Sequence, residues 1–270
     1  MLRDAISSVN GGFRVPYDVN YVWRQGCDPS QSDELTLSDL SPETAKKIRS
    51  SVIRLSGIKE KELLAANSFV VEKTVSNTLR VPFVHACMPD ALLVHIVRNG
   101  FDVVASAIEQ WNARPDLRYL LQKIRYFPLS EISYAWWFVR NQFLADGNAP
   151  SIWGPRYSGI EEDLVRLPLH IICARQWAIS VSKTLESLNE IEVNEGQKII
   201  TVKYEDICSS PGSLESVYRD LGIVTNGVSS YWRENISMAS IGNGKKVLQT
   251  TVINDILREF ENFPELSGLY

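Results

Sequence analysis

The chain has 270 residues, 44% of them hydrophobic, and 28 Lys and Arg against 32 Asp and Glu give a formal charge of −4. That length and composition suit one large domain or two small ones around a well-buried core. There is no basic excess of the kind nucleic-acid binders carry, although a local basic pocket for a small anion stays open. Cys27, Cys87, Cys173 and Cys208 lie far apart, so neither zinc-ligand spacing nor a disulfide framework is present. They read as buried free thiols in a reducing compartment. No signal-peptide pattern and no apolar run of roughly 18 residues occurs, and a soluble, cytoplasmic protein is expected.

Met1 to Ser8 reads as the tail of an amphipathic helix closed by Asn10, Gly11 and Gly12, and Phe13 to Val15 as a short extended segment. Cys27 to Ser38 is polar and loop-like. Ser41 caps a helix with Pro42 at its first position, running to about Leu55. Ser68 to Glu72 and Leu92 to Val97 are apolar runs without polar alternation, the pattern of strands covered on both faces. A helix from Ser76 to Cys87 follows the first, and one from about Asp102 to Asn112 follows the second. Residues 126–168, rich in aromatics, Pro and Gly, read as a helix plus long loops over the core. Within them Trp136, Trp137 and Phe138 fit core packing, and Trp153 to Tyr157 a loop on the ligand side. Leu169 to Leu188 suits a long helix, Lys198 to Lys203 a third apolar strand, and Thr250 to Phe260 a last helix. Ser209, Ser210 and Pro211 start a short helix in between. Strands alternating with helices predict an α/β domain with a parallel sheet.

Arg98 sits where the Leu92–Val97 strand ends, and Ser106 lies in the helix that follows. A helix start presents free N–H groups and the positive end of its dipole, and a guanidinium beside it suits phosphate. The two side chains therefore converge on an anion site at the carboxyl end of a strand. The other reading is an arginine capping a neighbouring helix and a serine that is merely tolerated.

The segment "VRNGFDVVAS" resembles the 3′-phosphate-binding segment of sulfotransferases that use 3′-phosphoadenosine 5′-phosphosulfate, through Arg98, Asn99, Asp102 and Ser106. Gly100 replaces the usual Pro. "VVEKTVSNTLRVPFV" resembles that family's strand ending in Glu-Lys-Thr, "ITVKYEDICSSPGSLESVYRDLGI" its Tyr-Glu-Asp-Leu strand and helix, and "SMASIGNGKKVL" its late nucleotide loop. The resemblance covers most of residues 68–270. It implies a P-loop-like three-layer α/β/α fold with a central parallel sheet, formed by residues 1–270 as a single domain with 126–168 as an acceptor-side insertion or lid. It implies sulfuryl transfer to a hydroxyl or amine of a small-molecule, saccharide or peptide acceptor, without metal, nucleic acid or membrane. The family's 5′-phosphosulfate loop is missing, as is the strand before it. On the resemblance, about 10–25 residues are expected upstream of Met1, one strand and a turn.

In-line transfer requires a base for the acceptor proton and a cation for the leaving oxygen. The resemblance assigns the cation to Lys73 and the base to Glu72, with Asp18 in "VPYDVN" as the rival base. It places Tyr204, Ser240, Lys245 and Lys246 on the nucleotide with Arg98 and Ser106. From the residues alone, Glu72 also reads as a surface charge paired with Lys73 or Arg80, Tyr204 as a core tyrosine, and the lysines as a solvated loop. Glu205 and Asp206 read as caps or ion-pair partners. His95 fits a core histidine, and His85 and His170 have no partner at a useful spacing. A catalytically inactive binding protein or truncated fragment is the alternative; a nucleoside or sugar kinase would want a phosphate loop and magnesium ligands, and neither appears.

Overall fold

A computed structural model describes residues 1–28, 30–65, 68–113 and 152–270. The Trp136–Phe138 cluster, and the larger part of the segment expected to form a lid, lie outside those residues.

The described residues are mostly helical. Helix α1 (Leu2–Ser7) leads into strand β1 (Gly12–Arg14), and α2 (Asn20–Trp23) into α3 (Pro42–Ser56) and α4 (Glu60–Ala65). Strand β2 (Phe69–Val71) precedes a 3-10 turn (Val75–Leu79) and α5 (Val81–Cys87), and β3 (Val94–Val97) precedes α6 (Gly100–Asn112). Then come α7 (Ile160–Arg166), α8 (Leu169–Glu195), β4 (Ile200–Lys203), α9 (Tyr204–Ser209) and α10 (Pro211–Asp220). The chain closes through α11 (Val228–Asn235), α12 (Gly244–Val247) and α13 (Thr250–Phe260).

Local chemistry sets these boundaries. Ser41 Oγ accepts the Thr44 N–H at 3.1 Å and Pro42 fits the first turn, so α3 starts there; Gly57, at φ 85°, ends it in the left-handed conformation. The one helix expected from Ser76 to Cys87 is broken at Arg80, whose φ of −148° is not helical, and Pro82 stands in the first turn of a new helix. Asn99 Oδ1 accepts from Phe101 N–H at 3.1 Å and Asp102 N–H at 3.3 Å, which starts α6 at Gly100 instead of Asp102.

The three predicted strands form and the short extended segment at Phe13–Val15 overlaps a fourth, but the central parallel sheet does not form. β1 pairs with β2 and β3 with β4, both in parallel, as two separate two-stranded sheets. The three-layer α/β/α sandwich is therefore corrected to a mainly helical fold with two small open sheets. The reason lies in the pairing. Phe69 N–H donates to Gly11 O, and Val15 N–H donates to Val71 O, so Val70 directs its own main-chain groups to the opposite edge. Ile200 N–H donates to Leu93 O, and by the same alternation Val94 and Ile96 face away from β4. No strand among the described residues pairs with those edges. Parallel sheets are normally covered on both faces; here β2 is only half-buried and Ile96 is 37% exposed.

Helices supply most of the core. Val97, Phe101, Val104, Trp177, Ala178 and Phe260 form one cluster that joins β3 to α6, α8 and α13. Gly100 is required there: a Cβ would stand 2.9 Å from the Phe260 ring and 3.0 Å from Trp177. Val15, Trp23, Ile48, Val52 and Phe83 form a second cluster. Ala5, Ile6, Ile207 and Leu214 form a third, on which Phe69, Val71 and Val202 pack, so both sheets rest on one core beside α1.

Candidate functional site

The residues that follow β2 form the first constellation. Glu72 leaves the strand half-buried. Thr74 Oγ1 donates to its Oε1 at 2.6 Å and Asn77 Nδ2 donates to its Oε2 at 3.2 Å. Thr74 in turn accepts the Val19 N–H at 3.1 Å. Asp18 stands against the same turn, taking the Val75 N–H on Oδ2 at 3.0 Å and the Asn20 N–H on Oδ1 at 3.3 Å. The sequence offered Glu72 and Asp18 as rivals; the fold places them in one site. Lys73, between Glu72 and Thr74 in sequence, is exposed.

Burial pushes the Glu72 carboxyl up to about 7. The Thr74 hydroxyl and the Trp23 indole favour its charged form, the Asp18 charge opposes it, and Arg80 favours it. Trp23 is 1% exposed, and its indole N–H makes no hydrogen bond of normal geometry even though it faces this carboxyl. A carboxyl poised near neutrality can give or take a proton without a large energetic cost in either direction.

Behind Glu72 lies a buried polar network that the sequence did not reveal. Asp33 is fully buried, and Arg24 Nη1 donates to its Oδ1 at 2.8 Å. Asn20 Nδ2 donates to the same oxygen at 3.1 Å, and the Arg156 N–H donates to Oδ2 at 2.9 Å. Burial works to raise the Asp33 carboxyl, but Arg80, the Arg156 N–H, Arg24 and Asn20 together hold it below the usual carboxylate range. The Trp153–Tyr157 loop, expected on the ligand side, thus abuts this network through Arg156. Arg80, read from sequence as a surface partner for Glu72, is 1% exposed and belongs to the network. The one available signal was spacing: Asn20 and Arg24 at i, i+4 and Asn77 and Arg80 at i, i+3 each share a helical face.

The second constellation follows β3. Arg98 lies over the Tyr204 ring, 4.6 Å from its centroid, and its Nη2 donates to Ser240 O at 2.8 Å. The Tyr204 and Ser240 hydroxyls are 2.9 Å apart. Asp102 fastens the late loop to α6 by accepting the Gly242 N–H at 2.8 Å and the Gly244 N–H at 2.6 Å. Glu205 accepts the Asn99 N–H at 2.9 Å. Arg98, Tyr204 and Ser240 are therefore brought together. Ser106 is not: the earlier start of α6 moves it to the second turn, and no hydrogen bond joins it to Arg98. Lys245 is exposed, with its Nζ 4.6 Å from the centroid of the Phe101 ring.

No known protein family matches this chain, and no curated protein or solved structure matches it. The fold carries no phosphate loop and no nucleotide-binding sheet among the described residues. The resemblance to sulfotransferases is thereby overturned, and with it the assignment as a 3′-phosphoadenosine 5′-phosphosulfate-dependent enzyme and that co-substrate. The shared segments are short local patterns, a strand end with its following turn and helix, which two separate sheets accommodate as well as a central one. Among the described residues no group of three or more His, Cys, Asp or Glu could hold a metal ion, and no helix is long and apolar enough to cross a membrane.

Proposed function

We propose that the end of β2 is a proton-transfer site, in which Glu72 exchanges a proton with a hydroxyl or amine of a small-molecule, saccharide or peptide ligand. The observation that carries this reading is the half-buried Glu72, its oxygens met by Thr74 and Asn77 with Asp18 on the same turn, a setting in which burial pushes its carboxyl up to about 7. General acid–base work is most efficient when the group titrates near the working pH. Asp18 keeps the Glu72 proton affinity high, and exposed Lys73 supplies a mobile cation at the rim. The free thiols of Cys27, Cys87, Cys173 and Cys208 support a cytoplasmic setting.

The test is a carbon-13 carboxyl titration of the Glu72 side chain by NMR, read in wild type and in Asp18→Asn. A midpoint near 7 that falls in Asp18→Asn supports the reading. A midpoint at the ordinary glutamate value of 4.5 overturns it.

A second reading, binding of a small anion at the end of β3, is favoured by Arg98. Its guanidinium forms no ion pair among the described residues, and its Nε is buried without a hydrogen bond. Calorimetry with inorganic phosphate and with acetate checks it: heat lost in Arg98→Ala supports the site, and equal heat in both proteins removes it.

A further inference from the structure

We propose that Arg80 is the positioning residue of the Glu72 site, acting through the orientation of the Asn77 amide. The inference rests on the proton-transfer reading and extends it to a residue that does not itself touch the ligand.

Donors and acceptors around Arg80 fix the amide. Arg80 Nε donates to Asn77 Oδ1 at 3.0 Å and Arg80 Nη2 to the same oxygen at 2.9 Å. A guanidinium has no acceptor, so the amide cannot turn its nitrogen toward Arg80. Asn77 Nδ2 is thereby fixed toward Glu72 Oε2, 3.2 Å away. Arg80 Nη2 also donates to Asn20 Oδ1 at 2.5 Å, which turns Asn20 Nδ2 toward Asp33 Oδ1. One buried cation therefore orients two amides, one serving each carboxylate.

Thr74 serves the other oxygen. Its Oγ1 accepts the Val19 N–H and, while Glu72 is charged, donates to Glu72 Oε1. Of the two donors only the Asn77 amide is barred from reversing, because Arg80 occupies its oxygen. A proton arriving on Glu72 therefore leaves the Asn77 bond in place. The groups surrounding Glu72 are Asp18 before α2, Trp23 on α2, Thr74 and Asn77 on the turn after β2, and Arg80 leading into α5, with Lys73 at the rim. Arg80 itself is held from behind: Asp33 Oδ1 lies 3.7 Å from Nη1.

Three readouts test this by NMR. In wild type, the Asn77 side-chain amide nitrogen should shift with the same midpoint as the Glu72 carboxyl, since among the described residues it donates to that group alone. In Asn77→Ala, the Glu72 midpoint should rise by about one unit, a tenfold gain in proton affinity, because a hydrogen bond to the charged form is gone. In Arg80→Lys, which keeps the charge and loses the fork, the Asn77 amide is free to turn and the same rise is expected. An ordinary Glu72 midpoint in wild type sinks the proton-transfer reading itself. A Glu72 midpoint near 7 with an Asn77 amide that does not follow it overturns the positioning role alone. So does a rise in Asn77→Ala with none in Arg80→Lys. If Arg80→Lys does not fold, the wild-type titration still decides against the role, since an Asn77 amide that does not follow a Glu72 midpoint near 7 overturns it.

Discussion

At the scale of the residue, Glu72 couples the site to stability. Its proton affinity is higher in the folded chain than the usual glutamate value of 4.5, at about 7. The folded state therefore gains stability from the protonated form; that gain is complete below about pH 4.5 and is lost as pH rises through 7. At pH 8 the wild type holds a charge that its surroundings disfavour. Glu72→Gln should then unfold at higher denaturant than wild type at pH 8, by about 2 kcal/mol, allowing for the Asn77 hydrogen bond the amide weakens. The difference should shrink or reverse at pH 4.5, as urea unfolding at the two pH values will show. Arg80 predicts the opposite behaviour: Arg80→Met leaves Asp33 short of a partner in a dry setting and should cost about 3–5 kcal/mol at any pH near neutrality. Sequence legibility at this scale was uneven. Arg98, Tyr204 and Ser240 are grouped only through the resemblance, which the fold overturns as an identification even though these three side chains do meet. The Glu72 network could not be grouped, because Asn20, Asp33, Asn77 and Arg80 meet only after three separate segments pack together.

Among the elements, the late loop and α6 depend on two positions without side chains. A Cβ on Gly244 would stand 2.3 Å from the Phe101 main chain and 2.6 Å from the Asp102 nitrogen, and backbone cannot move aside as a flexible side chain can. Gly244→Ala should therefore detach residues 240–244 from α6, breaking the two hydrogen bonds to Asp102 and withdrawing Ser240 from Arg98. The expected signature is loss of the Gly242 and Gly244 amide protection in hydrogen exchange with the Val97–Phe260 core intact. Gly100→Ala should cost about 1–3 kcal/mol by overpacking Phe260 and Trp177, without releasing the loop. Chemical denaturation of the two variants separates these cases. Caps and prolines made such elements readable: Ser41, Pro42, Ser210 and Pro211 start helices where the sequence places them. Arg80 is the exception, since a continuous helical pattern over 76–87 conceals the break that turns its side chain inward.

For the whole molecule, strands were readable and their assembly was not. An apolar run such as "LLVHIV" announces burial, but the partner of each edge is decided by segments far away in sequence. The two pairs β1–β2 and β3–β4 share a core without sharing a ladder. Amides of Val94 and Ile96 should accordingly exchange with solvent faster than those of His95 and Val97, which face β4. Equal protection along β3 would show that its outer edge is covered in solution.

The 27-residue helix α8 is about 40 Å long. Near its start Arg175 binds Asp163 at 2.8 Å and Glu259 at 2.7 Å, and at its last residue Glu195 meets His85 Nε2 at 2.8 Å. It is thus a strut bolted at both tips, with Trp177 and Phe260 clamped near one bolt and α5 at the other. Loosening either fastening would hand slack to a region tens of ångströms away, so fraying at a single tip should register in the mechanics of the entire assembly.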